Sequence, residues 1–264
     1  MKLGFITEQT VLAHPTNDKV WTVAENQTDN ADQIAVPLLM CSGWFDHFPS
    51  DVLRAFDDVT KKSDPNVRDK HKLLYGPWQH SAIGVSKQGV LDFPDAEDLP
   101  TDMGMKFFGF YLRGEKINWE GMPAVQYYQM GENKWKTTND WKSVGTHTGV
   151  LYFREGNKLS LEEPPINIKE VPPDTLIADS KTPVPTIGGS RFNVLDKTIA
   201  SGPQEVQSLL ARKDVLAYST DPLVNEISIT GSSRVKVRFV CNQKDADISV
   251  RLCDVYLDGR WIIL

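Results

Sequence analysis

Val36-Pro37-Leu38-Leu39-Met40-Cys41-Ser42, running into Gly43-Trp44-Phe45-Asp46, and Lys72-Leu73-Leu74-Tyr75, running into Gly76-Pro77-Trp78-Gln79-His80, are the two stretches that decide the fold. The run from Val36 to Ser42 is short, continuously apolar and entered through Pro37, which predicts a strand buried on both faces of a parallel sheet. Between the two stretches, Pro49-Ser50-Asp51 supplies helix-start chemistry. Val52, Ala55, Phe56 and Val59 then recur at helical spacing until Lys61, Lys62 and Pro65 close the segment. The order is strand, loop, helix, strand. Each strand end delivers one titratable side chain two residues after a tryptophan.

Outward from this centre, Met1 to Gln33 is polar and aperiodic, and is expected to be irregular or partly helical. Met103, Phe107, Phe110 and Tyr111 share one helical face that stops at Gly114, and Ala124 to Met130 is a further strand before Gly131-Glu132-Asn133. Beyond about Trp141 the apolar period changes from that of a helix to strict alternation. Gly149–Phe153 and Lys158–Leu161 flank Glu155-Gly156-Asn157. Ile227 and Ile229 alternate before Gly231-Ser232, Val235, Val237 and Phe239 after it, and Ile248, Val250 and Leu252 lead to Asp258-Gly259. These patterns predict β-hairpins, and together an antiparallel sandwich of jelly-roll type. Pro172 to Pro185 is a proline-rich crossover. Trp261-Ile262-Ile263-Leu264 starts a strand with nothing after it to pair with, so the fold is expected to be incomplete at this end.

Composition narrows the function. The chain has 264 residues, 40% of them hydrophobic, and a net charge of -6 with acidic and basic side chains interspersed. It can bury a sizeable core, and it offers no basic stripe for nucleic acid. No apolar stretch is long enough to span a bilayer, and Met1–Phe5 is too short for a signal-peptide core, so a soluble protein is expected, of unknown compartment and oligomeric state. Cys41, Cys241 and Cys253 lack the paired spacing of a zinc or redox site. Buried free thiols are the expectation, with a Cys241–Cys253 bridge left open.

Asp46 alone would be an ordinary cap for the helix that starts near Ser50, and His80 alone an ordinary loop histidine. Taken with their matched settings, Gly43-Trp44-Phe45-Asp46 and Gly76-Pro77-Trp78-Gln79-His80 resemble the acid and base loops of the CocE/NonD (cocaine esterase and X-Pro dipeptidyl peptidase) family of serine hydrolases. The resemblance continues through Phe107–Gly114, Met130–Trp135, Pro183–Gly189, Arg212–Leu216 and Asp254–Arg260. It implies the end of a helical cap in residues 1–33, the C-terminal part of an α/β-hydrolase domain in 34–141, and an X-Pro dipeptidyl peptidase C-terminal-type jelly roll, truncated, in 142–264. The fold class is thus α/β, a partial hydrolase core followed by an antiparallel β domain and incomplete at both ends.

The triad order of that fold is serine, then acid, then histidine, so the resemblance makes Asp46 the acid and His80 the base. The nucleophile is missing: no Gly-x-Ser-x-Gly occurs, and Ser190 and Ser232 follow glycines within the β-rich half. The serine and its oxyanion-hole donors are expected in sequence outside this chain, which alone should be inactive. Trp44 and Trp78 either line an apolar acyl pocket or pack beneath the loops. His47 neighbours the acid and is expected to be solvated. His14, His71 and His147 lack metal-ligand spacing and are expected to be structural or solvent-facing. Asp245, Asp247, Asp254 and Asp258 sit close together without a calcium-loop pattern and are expected to be solvated turn residues. No metal and no cofactor is implied, because nucleophile, base and oxyanion donors suffice for acyl transfer. The expected substrate is a small ester or amide or a short peptide. An α-amino acid ester hydrolase or acylase on the same scaffold, and a non-catalytic jelly-roll binding module, are the alternatives.

Overall fold

Two short helices, α1 (Glu8–Ala13) and α2 (Lys19–Asn26), occupy the opening stretch expected to be irregular or partly helical. Thr7 caps α1 by accepting from Thr10 N at 3.2 Å while Thr10 Oγ1 answers the Thr7 N–H at 3.3 Å, a reciprocal capping box. The computed structural model describes residues 7–16, 18–26, 30–145, 147–164, 172–191, 200–244 and 246–264. The chain divides into two units, Met1–Leu38 with Leu53–His71, and Leu39–Val52 with Lys72–Leu264.

The first unit holds most of α3 (Pro49–Lys62), which forms over the predicted residues, with Asp51 in its first turn and Lys61 and Lys62 in its last, where each complements the helix dipole. Phe56, Val59 and Val67 are buried here. Asp64 N donates to Ile34 O at 2.9 Å, tying the segment after α3 to the one before the first strand. His71, only 1% exposed, makes a second tie: its Nδ1 accepts from Leu38 N at 3.2 Å and its Nε2 meets Ser63 Oγ at 3.0 Å. An Nδ1 that accepts carries no proton, so the ring is neutral and donates from Nε2 to Ser63. Burial holds the pKa of His71 below its ordinary value, against an opposing push from Asp69.

The second unit is built on β1 (Leu39–Phe45) and β2 (Lys72–Gln79), which pair in parallel with Leu39 opposite Lys72 and Gly43 opposite Gly76. Both run past their predicted ends. β1 starts at Leu39, because Pro37 has no N–H to give a ladder, and takes in Gly43, Trp44 and Phe45, expected as its exit. β2 continues through Gly76 and Pro77 to Gln79. The register jumps between Gly43 and Phe45, which faces Gln79, so β2 carries one extra residue in a bulge, where proline's missing donor is tolerated.

After β2 come the two-residue ribbon β3 (Lys87–Gln88) and β4 (Leu91–Asp92), and then α4 (Leu99–Arg113), which begins one turn ahead of Met103, with Pro100 in its first turn. Gly114, in the left-handed conformation at φ 67°, ends it as the sequence predicts. β5 (Val125–Gln129) adds in parallel to β2, and β6 (Lys134–Thr138), not expected from the sequence, returns antiparallel to β5. The sheet order β1-β2-β5-β6 is therefore mixed rather than wholly parallel. Leu74, Trp78, Phe93, Ala96, Met103, Trp119 and Tyr128 make its buried core, with the α4 residues Phe107, Phe110 and Tyr111 packed against it. Each large side chain so buried contributes about 1.5–3 kcal/mol. Lys72, 4% exposed, keeps its ammonium satisfied by donating to the carbonyls of Glu120 and Met122, which pins the loop ahead of β5.

Beyond Trp141 the described residues form short antiparallel pairs. β7 (Tyr152–Arg154) and β8 (Lys158–Ser160) make the predicted hairpin, with Gly156 and Asn157 at φ 70° and 61° in its turn. β9 (Cys253–Val255) and β10 (Trp261–Ile263) pair across Asp258-Gly259, the turn at which the sequence predicts a hairpin, so the last strand finds its partner in the strand before it. Val206, Leu209 and Ile263 form a second small core with Val184, Ile187 and Val215 around it. The hairpin expected around Gly231 is absent among the described residues: Ile227, Ile229, Val235, Val237 and Phe239 carry the alternation but are 43–59% exposed and belong to no strand. All three cysteines are free thiols, and Cys241 is exposed rather than buried. No described helix is long and apolar enough to cross a membrane.

Candidate active site

Because Phe45 faces Gln79 across the β1–β2 pair, the next residue on each strand, Asp46 and His80, leaves the sheet beside the other. The chain turns sharply after β1, with Asp46 N donating to Gly43 O at 3.0 Å. The Asp46 carboxylate is 5% exposed and fully engaged. Its Oδ2 accepts from Ser42 Oγ at 3.2 Å, and its Oδ1 accepts from Phe48 N at 3.1 Å and meets His80 Nδ1 at 3.0 Å. The bond from Phe48 N, one residue before α3, shows that Asp46 also shapes the entry to that helix. The His80 side chain is 39% exposed, so a buried acid orients an accessible imidazole.

The environment behind the acid stays uncharged. Burial, with the Asp46 charge adding to it, pushes the Cys41 thiol up to about 12 and raises the Tyr75 phenol in the same way, so both remain protonated at neutral pH.

The two tryptophans part company. Trp44 is half-buried in β1, donates from Nε1 to Tyr128 O at 2.7 Å and meets the Tyr75 ring edge-on at 4.6 Å. Trp78 is 0% exposed inside the main core and packs on Trp135 at 5.8 Å, away from solvent. His47 stays close to the pair: its Nδ1 lies 3.5 Å from Asp46 Oδ1, and its ring is 4.3 Å from His80 and 4.0 Å from Phe48. Asp258 is engaged by Arg260 Nε at 2.8 Å, as a turn residue would be, and Asp245 lies outside the described residues. An open recess of about 400 Å³ lined by Tyr127, Lys136, Thr138, Ser143 and Thr230 includes neither Asp46 nor His80.

One contributor escaped the sequence. Gln88 is 0% exposed, and its amide spans the loop that carries His80. Gln88 Oε1 accepts from Gln79 N at 3.0 Å, and Nε2 donates to Ala82 O at 2.9 Å and Val85 O at 2.7 Å. Nothing in an isolated Lys87-Gln88 pair signals this, because the bonds depend on how the loop folds back. A further tie comes from the C-terminal part of the chain, where Ser201 Oγ donates to Gln79 Oε1 and Val90 N donates to Pro203 O at 2.9 Å.

Known proteins share this arrangement of sequence. The profile of the X-Pro dipeptidyl-peptidase C-terminal non-catalytic domain matches residues 118–264, more than half of the chain, and that of the S15 X-Pro dipeptidyl-peptidases matches residues 3–82. Cocaine esterase of Rhodococcus sp. (strain MB1 Bresler) is 30% identical over 267 aligned positions, covering 96% of this chain and 44% of that protein. Among solved structures, an α-amino acid ester hydrolase superposes with a TM-score of 0.64 at 24% identity, over 81% of this chain and 36% of that one. The chain therefore belongs to the CocE/NonD family of serine hydrolases, which includes the X-Pro dipeptidyl peptidases. It spans less than half the length of the curated relatives it matches.

Proposed function

We propose that this chain supplies the acid, Asp46, and the base, His80, of a Ser-Asp-His triad in a hydrolase of the X-Pro dipeptidyl peptidase and cocaine esterase type, which cleaves an ester or amide by acyl transfer. The observation that carries it is the 3.0 Å contact between Asp46 Oδ1 and His80 Nδ1 at adjacent ends of parallel strands, in the chain order acid then histidine. With Nδ1–H held on the carboxylate, Nε2 is the nitrogen that takes the serine proton as Oγ attacks the carbonyl and returns it to the leaving alcohol or amine. Asp46 orients the ring and stabilises the imidazolium formed in that step.

The serine and oxyanion donors come from sequence outside these 264 residues, since no nucleophile elbow occurs within them. In this assignment residues 1–33 close a helical cap, 34–141 complete the hydrolase domain, and 142–264 belong to a jelly roll, a reading that the short antiparallel pairs beyond Trp141 support. Trp44, half-buried beside the acid, is the better placed of the two tryptophans to border a substrate pocket.

Turnover of activated esters and X-Pro dipeptide amides tests the proposal, together with labelling by serine-directed phosphonates. The 264-residue chain, shown folded by circular dichroism, should do neither, and a longer protein carrying the upstream segment should do both. In that protein His80→Ala or Asp46→Asn should lower kcat by about three orders of magnitude or more. Phosphonate-sensitive hydrolysis by the chain alone, lost on replacing one of its own serines, would overturn the assignment.

A further inference from the structure

Asp46, His47 and His80 each point one ligand atom at a common space, all within 4.8 Å of one another. From this geometry we infer that the three side chains form a site for one divalent transition-metal cation of the zinc type. In a tetrahedral site with metal–ligand distances of about 2.0–2.1 Å, neighbouring donor atoms lie about 3.3 Å apart. The two edges from Asp46 Oδ1 measure 3.0 Å, to His80 Nδ1, and 3.5 Å, to His47 Nδ1. They bracket that value. The third edge, between the two imidazoles, is no more than 4.8 Å, and the rings that bear it are 20% and 39% exposed.

The donor set selects the cation. Two imidazole nitrogens and one carboxylate oxygen suit zinc and its neighbours, whereas calcium and magnesium take oxygen ligands throughout. Asp46 is already oriented for the task by Ser42 Oγ on Oδ2 and by Phe48 N on Oδ1, as carboxylate ligands usually are. Three protein ligands leave a fourth position for water. When the cation binds His80 Nδ1, it takes the place of the proton shared with Asp46; that proton passes to solvent while Nε2 takes one up, so the ring stays neutral, no net proton is released, and Nε2 loses the lone pair that a base needs. Resting on the function proposed above, the consequence is reversible inhibition: a His80 held by metal no longer has the acid as its partner. The His47 side chain, beside the acid in sequence and in space, is what turns a two-residue pair into a metal site.

Titration of the chain with zinc chloride by isothermal calorimetry tests this, in a Cys241→Ser background that removes the exposed thiol. One zinc per chain is expected, weakened at least tenfold by His47→Ala, by the more conservative His47→Gln and by His80→Ala, with calcium chloride giving no binding at this site. Cobalt should give the intense visible bands of a tetrahedral complex, lost in His47→Gln. Binding that survives all three substitutions, or no binding at one equivalent, would overturn the inference. Since calorimetry needs no turnover, zinc binding by the chain, together with inactivity of the longer protein that carries the upstream segment, would sink only the proposed hydrolase. An active protein whose chain ignores zinc would sink only the metal site.

Discussion

His71 reaches its neutral state through two neighbours of opposite kind, a backbone donor on Nδ1 and a hydroxyl acceptor on Nε2. Its sequence setting, Asp69-Lys70-His71, leaves it structural or solvent-facing, because nothing local tells that Leu38 and Ser63 will close on the ring. The closeness of Asp46 and His80 was legible because each follows the end of an apolar strand in a matched Trp-containing setting, and the resemblance of those settings to a known family's loops placed the two strands side by side. The lowered pKa of His71 has a consequence for stability. Its folded-state value lies below the unfolded value of about 6.5, so the unfolded chain binds more protons between the two. Stability should therefore be intact above about pH 6.5 and fall as the pH drops below it towards the folded value. Thermal melts from pH 7.5 to 5 should show this loss, and His71→Gln should flatten it. Equal slopes for both proteins would mean that another group is responsible.

At the level of elements, apolar runs announced the strands, but their ends were misplaced where the signal is a single atom. Pro77 reads as a strand breaker, yet the bulge opposite Gly43 and Phe45 absorbs it and β2 continues to Gln79. The loop that follows keeps its shape through Gln88. Gln88→Ala would leave one buried N–H and two carbonyls without their present partner, at about 1–3 kcal/mol for each group that water cannot reach. A loss of about 2 kcal/mol would lower Tm by roughly 4–8 °C in a domain of this size. Gln88→Glu keeps the acceptor for Gln79 N but brings a charge to the two carbonyls, so it should not restore the wild-type Tm. The His80 Nδ1–H proton resonance, held far downfield by the Asp46 contact, should broaden or vanish in both variants. A melting curve and resonance unchanged in Gln88→Ala would show that the loop holds itself.

Across the whole molecule, the change of period at Trp141 marked a stretch of short, mostly antiparallel pairs, but antiparallel pairing already begins with β3–β4 and β5–β6, and the pattern did not tell which strands meet. Alternation says that one face of a segment is apolar, not what covers it, so Ile227 to Phe239 carried the pattern without forming strands among the described residues. The closure of β10 on β9, and of both on the Val206 core, depends on residues far apart in sequence. The segment from Ser201 to Pro203 reaches back to the loop that carries His80, at Gln79 and Val90. A side chain at Gly89, which has a φ of 52°, would stand 2.0 Å from Pro203 O, so Gly89→Val should push that segment away. Hydrogen exchange at the Val90 amide should then quicken, and protection should fall across Gln79–Gln88. Unaltered exchange in a folded Gly89→Val protein would show that the two parts hold independently.

Gly43 and Gly76 face each other across β1 and β2, and both are hemmed in by Trp78. A methyl at Gly76 would meet the Trp78 indole at 2.2 Å, whereas one at Gly43 would meet the Trp78 backbone carbonyl oxygen at 2.0 Å. The difference sets the order in which these positions can change over evolutionary time. Gly76 becomes open to alanine once Trp78 has given way to a smaller residue, so the route through 78 first is passable and the route through 76 first is blocked. Gly43 has no such route, because every residue at 78 brings the same carbonyl. A lineage drifting through this site can therefore rewrite one strand end by a historical accident at its tryptophan, and the other only by moving the strands apart.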